Sequence, residues 1–148
     1  TVEKFLNGES LLSIKWSSAG WGIKTNDSTI IDKNKTILVR LEDLTPGKIF
    51  YTSPSKCLTT ERGFYCAVPV NIPAEELNVL DKYLKREIYT NDHFYFVSID
   101  AQNKKARAKL LLRADELNPI DATNLQLMED RLFFINRYDQ RLYSLDTR

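Results

Sequence analysis

Apolar and polar residues alternate with a period of two along much of this chain. Leu12, Ile14 and Trp16 alternate with Ser13, Lys15 and Ser17, and Trp21 and Ile23 resume the pattern after Ala19-Gly20. One face of a β-strand has that period. Gly20 and Gly22 mark either a turn or a bulge in this run. Residues 36–41 form a second β-prone run, closed by the turn Thr45-Pro46-Gly47, and residues 48–53 form a short third run ended by Pro54. Residues 57–70 read as a hairpin whose second arm ends at Pro69 or lies at an edge, because proline cannot donate to a ladder.

One segment has a helical period. Pro73 opens it, Glu75 and Glu76 suit its first turn, and Lys82, Lys85 and Arg86 suit its last turns. Leu77, Leu80, Leu84 and Ile88 make one apolar stripe bordered by Tyr83, which predicts a helix over about 73–88 lying on a sheet. Strand signals then return. Phe94, Tyr95 and Phe96 belong to a strand over 93–99, and the polar residues 100–104 connect it to a partner over 105–113. In that partner Ala106, Ala108, Leu110 and Leu112 share one face, and Arg107, Lys109, Leu111 and Arg113 the other. After Asn118-Pro119, residues 125–128, 132–136 and 141–145 form a closing meander with turns at Glu129-Asp130 and residues 138–140.

The strands follow one another as meanders and do not alternate with helices, so the sheet is expected to be mostly antiparallel. The expected fold is α+β and β-rich. It is a curved sheet or half-barrel of about eight strands carrying one packed helix, in a single domain over residues 1–148, a length that suits one domain. The tail over 131–145 resembles a propeller-blade hairpin. It occurs once, so it is read as an ordinary hairpin and repeat architectures are not expected.

Cys57 and Cys66 bracket the turn Glu61-Arg62-Gly63. With Glu61-Arg62 at the tip, Thr60 faces Gly63 and Cys57 faces Cys66, a separation that a disulfide can bridge. Such a short loop gives roughly 2.5–3 kcal/mol in the chain-entropy model. The bond implies an oxidising compartment, either periplasm or the secreted space. The chain begins Thr1-Val2-Glu3 without Met, as expected of a processed mature chain or a trimmed one, from which any secretory leader is expected to have been removed already.

Composition narrows the chemistry. The 21 Lys and Arg nearly balance the 20 Asp and Glu, so a nucleic-acid partner is not expected. No apolar run is long enough to span a membrane. His93 is the single imidazole, and at the start of an aromatic strand it reads as a packing residue. No His/Cys/carboxylate spacing suggests a transition-metal site. Asp92, Asp100 and the Asp27/Asp32 loop offer oxygen ligands but read as solvated turns. Glu75/Glu76 and Asp115/Glu116 are acid pairs of the kind that helix starts and turns produce. No catalytic residues, metal or cofactor are assigned.

Two features carry the functional expectation. Trp16 and Trp21 form a candidate aromatic patch. Lys105, Arg107, Lys109 and Arg113, extended by Lys104, form a candidate basic strand face for an acidic partner. The expectation is a non-enzymatic periplasmic or secreted protein-binding domain. A concrete version is an inhibitor or immunity protein that blocks a toxin or wall-active enzyme sterically. The alternatives are a cell-envelope or virion assembly module, and a carboxylate-dependent hydrolase or secreted toxin.

Overall fold

A computed structural model describes residues 2–3, 12–18, 20–24, 29–34, 36–40, 52, 54–71, 79–100, 102–103, 105–114 and 118–148. Its strands form three antiparallel sheets. The first has five strands in chain order: β1 (Val2–Glu3), β2 (Leu12–Trp16), β3 (Trp21–Lys24), β4 (Thr29–Asp32) and β5 (Ile37–Arg40). The second contains β6 (Cys57–Thr59), β7 (Gly63–Pro69), β8 (Asp92–Asp100) and β9 (Lys105–Leu112). The third contains β10 (Ala122–Met128), β11 (Arg131–Asn136) and β12 (Arg141–Asp146). Within each sheet every strand pairs with its sequence neighbour, so each sheet is a plain meander.

The second sheet lies between the other two. From one of its faces Phe64, Cys66, Val68, Val97 and Ala106 pack with Ile30 of β4, and Leu38 of β5 borders the cluster. From the other face Ala67 and Phe94 pack with Ala122, Leu125, Leu132 and Phe134 of the third sheet. Alternate residues of β7 and β8 therefore serve different cores. A strand covered on both faces has no polar side to present, which explains the nearly unbroken apolar runs of these two strands. The tail hairpin β11–β12 belongs to the third of these meanders, together with β10.

The expectation of about eight strands in one curved sheet or half-barrel is corrected: the described residues form twelve strands in three sheets, with no closed barrel. The α+β label holds only loosely, because the described helix, α1, spans just Val79–Leu84. Residues 73–78 of the expected 73–88 helix lie outside the described residues. Its end is early for a local reason. Arg86 adopts φ of 61°, and the Arg86 and Glu87 amides bond back to the Tyr83 and Lys82 carbonyls. A left-handed residue beside such a turn terminates a helix. Of the apolar stripe, Leu84 is 67% exposed and Ile88 half-buried, whereas the bordering Tyr83 is buried.

Strand β4 has no counterpart in the sequence pattern, and its Thr29, Ile30 and Ile31 are all buried. The Ser17–Gly20 segment is a turn, with Gly20 at φ of 85° and its amide bonded to Ser17. Most of the expected 48–53 strand lies outside the described residues, and Pro54–Lys56 forms a 3-10 turn. β7 does end at Pro69, beyond the reach of β6, whose last pairs are with residues 64–66. Gly63 lies so close to the Val97 carbonyl that any Cβ would collide with it.

Candidate functional site

The Cys57–Cys66 pair forms the expected disulfide, with the two residues directly opposed and their Cα atoms 4.2 Å apart. The turn has the expected register, because the Thr60 amide and hydroxyl both donate to the Gly63 carbonyl. Both cysteines are buried in the core shared with the first sheet.

One residue before Cys57 stands Lys56, which sequence reading did not single out. Its side chain is almost wholly buried. The ammonium donates to Asp92 Oδ2 at 2.5 Å, to Asp121 Oδ1 at 2.8 Å and to the Ala122 carbonyl at 3.0 Å. A lysine has three donors, and all three are used. Asp121 receives four bonds: from Lys56 and the Tyr83 hydroxyl (2.9 Å) on Oδ1, and from the Thr90 amide (3.1 Å) and Arg137 Nη1 (3.1 Å) on Oδ2. Asp92 Oδ2 also accepts the Ala122 amide at 2.8 Å.

The buried Lys56 and the partly buried Arg137 thus face two buried anions. Arg137 spreads its guanidinium 3.8 Å above the Tyr83 ring, and its Nη2 donates to the Tyr83 carbonyl at the end of α1. Asn136 accepts the Asp121 amide and donates to the Pro119 carbonyl. The assembled group joins the 3-10 turn before β6, the start of β8, the segment entering β10, the β11–β12 turn and the helix. It fastens the second sheet to the third.

The proton affinities follow from this arrangement. Burial works to lower the Lys56 pKa, but Asp92, Tyr83 and Asp121 together outweigh it and the value rises above 10.5. Burial raises the Tyr83 pKa above 10.0 against the pull of Lys56. Burial likewise lifts the Asp92 carboxyl above its usual range, with Lys56 pulling partway back. Asp92 Oδ1 is buried without a hydrogen-bond partner, which makes the charged form harder to hold there.

The other sequence candidates are dispersed. Lys105, Arg107 and Lys109 are exposed on β9, the edge strand of the second sheet, opposite Asp100, Ser98 and Phe96. Arg113 does not share their face. A bulge between the Phe94 and Tyr95 pairings shifts the register there, and Arg113 interacts with Tyr95, whose ring belongs to the opposite face. Trp16 ends β2 and Trp21 begins β3, at the same end of one hairpin. Their side chains lie outside the described residues, as does Lys104. His93 Nδ1 accepts the Ala114 amide at 2.8 Å and so holds the chain leaving β9. Asp32 and Asp100 each accept amides of their own turns. Asp27, the Glu75/Glu76 pair and the Asp115/Glu116 pair are outside the described residues. Among the described residues no three His, Cys, Asp or Glu gather as metal ligands, and no helix is long and apolar enough to cross a membrane.

No family model matches the chain, and neither a curated protein nor a solved structure matches it.

Removing one partner from a buried ion group strands the others. Lys56→Met is expected to cost about 3–5 kcal/mol in urea unfolding. Adding Asp92→Asn restores part of that loss, giving a coupling energy of about 1–3 kcal/mol in the double-mutant cycle. Strict additivity of the two changes would remove the ion pair as a stabilising contact.

Alkali tests the same group. Lys56 and Tyr83 both hold their protons more tightly folded than unfolded. Their contribution is therefore complete below the unfolded values and is lost as pH rises through the folded ones. The urea midpoint is expected to fall above about pH 10, and to fall less steeply in Tyr83→Phe. Parallel curves for the two proteins would contradict this linkage.

Proposed function

We propose that this chain is a non-enzymatic protein-binding domain that recognises an acidic surface or segment of its partner through the outer edge strand β9. The observation that carries the reading is the placement of Lys105, Arg107 and Lys109 together on that exposed edge, beside the half-buried Phe96 and Tyr65. Their exposed charges steer an acidic partner and set its register, while a neighbouring aromatic pair, with ring centroids 4.7 Å apart, supplies contact area. Edge strands also add extended segments through their backbone groups. The contrast with the interior supports this reading: Lys56 and Arg137 are spent on Asp92 and Asp121, so these charges are not presented to a ligand. The disulfide between Cys57 and Cys66 is compatible with a periplasmic or secreted setting. An inhibitor or immunity protein that covers a toxin or wall-active enzyme is one form such a domain takes.

The experiment is fluorescence anisotropy with a labelled poly-glutamate peptide. Binding is expected to weaken steeply with salt. It should fall at least about ten-fold in Arg107→Glu/Lys109→Glu, about 1.4 kcal/mol. Arg113→Glu, on the other face, should leave it near the wild-type value. Equal affinity in wild type and the double reversal would take the basic edge out of the proposal.

A second reading, an assembly module, is favoured by one surface. The outer face of the third sheet carries Phe133 and Ile135 with the exposed Leu142 and Met128, the last two 68% and 65% accessible. Both faces of the second sheet are covered by neighbouring meanders, and this face would be covered in the same manner by another copy. Light scattering decides: concentration-dependent growth in mass, suppressed by Leu142→Glu, supports assembly, and a strict monomer at high concentration excludes it.

A further inference from the structure

We infer that the Cys57–Cys66 disulfide is a positioning clamp for Lys56, so that the redox state of this pair sets the strength of the joint between the second and third sheets. Lys56 directly precedes Cys57, and β6 is a three-residue edge strand. Its own ladder is a weak anchor for a lysine that must meet two carboxylates. The sulfur link supplies a stronger one. Cys66 stands in β7, paired on its far side with Tyr95 of β8. That same strand begins at Asp92, the first acceptor of the Lys56 ammonium. The disulfide thus fixes the donor to the body that holds one acceptor, and the ammonium reaches across to Asp121 and the Ala122 carbonyl at the third sheet.

The dependence runs both ways. Cys57 and Cys66 are buried, and the Thr52 hydroxyl, itself buried and bonded to the Ala67 carbonyl, lies 3.7 Å from the Cys57 sulfur. A small dithiol reaches the bond only when β6 lifts from β7. Lifting β6 draws Lys56 away from its carboxylates. The ion group therefore protects the disulfide, and by thermodynamic reciprocity the disulfide holds the ion group together. In the reaction, one thiolate of the dithiol attacks a protein sulfur and expels the other as thiolate. The second thiol of the reagent then closes on the mixed disulfide. Cys57 and Cys66 gain two electrons and two protons as free thiols, and the dithiol becomes a cyclic disulfide.

Two measurements test the clamp. In the first, dithiothreitol reduces the folded protein, thiols are trapped by alkylation, and intact mass gives the rate. Lys56→Met should be reduced at least ten-fold faster than Leu132→Ala, a buried truncation in the third sheet, once both are scaled for their global stability. Equal scaled rates overturn the proposal. The second needs no Lys56 variant. Hydrogen exchange on wild type before and after reduction should show protection lost at the Ala122 and Thr90 amides, which bond to Asp92 and Asp121, while the β11–β12 ladder keeps its protection. Unchanged protection at Ala122 and Thr90 in the reduced protein overturns the clamp, as does uniform loss across every strand.

Discussion

Four charged side chains from distant parts of the chain meet between two sheets, three of them buried and Arg137 partly so. Lys56, Asp92, Asp121 and Arg137 carry equal numbers of positive and negative charges, and Asp92 and Asp121 are fully buried. Taking ions out of water costs several kcal/mol each, and only close pairing with filled hydrogen bonds offsets that cost. The two cations are used differently. The compact ammonium of Lys56 points its three donors at three oxygens, whereas the flat guanidinium of Arg137 both pairs with Asp121 and stacks on Tyr83. An apolar joint of the same size would tolerate sliding of one sheet over the other. Directional bonds to fixed carboxylates do not.

This constraint explains local features that otherwise look arbitrary. Tyr83 turns inward with its hydroxyl on Asp121, and its carbonyl, at the turn where the left-handed Arg86 ends the helix, also accepts from Arg137. The Asn118–Asp121 segment has no regular structure, yet it is tied down by Asn91, Asn136 and the Asp92 amide. The polar ties in turn hold the apolar contacts in register: Phe94 meets Phe134 with ring centroids 4.8 Å apart, in the core that the ion group borders.

The surface is organised by a different device. On β9 a single extra residue shifts the alternation, so three cations stay on one face while Arg113 is carried to the other beside Tyr95. The cations left together are on the face of β9 opposite Ala106 and Ala108, which pack toward the first sheet. Interior charges and exterior charges thus have separate assignments: the former are satisfied within the fold, and the latter remain available to a partner.

How much of this was legible in the sequence follows from the range of each interaction. Alternation and turn residues located most strands of the second and third sheets, because strand period and turn chemistry are local. The cysteine pairing was legible for the same reason, since the tip at Glu61-Arg62 fixes the register only a few residues away. The unbroken run Phe94-Tyr95-Phe96 already carried the mark of a strand covered on both faces, though not of what covers it. Strand β4 was hidden because Thr29-Ile30-Ile31 is too short for a period to show. The spacing of Leu84 and Ile88 extends the expected helix past its end because apolar period does not register the left-handed turn at Arg86. Lys56 gave no signal at all, since a lysine is ordinarily solvated and nothing within ten residues announces Asp92, Asp121 or Arg137. Only folding, which brings positions 56, 92 and 121 together out of water with the partly buried position 137 beside them, decides that these charges fasten two sheets to each other.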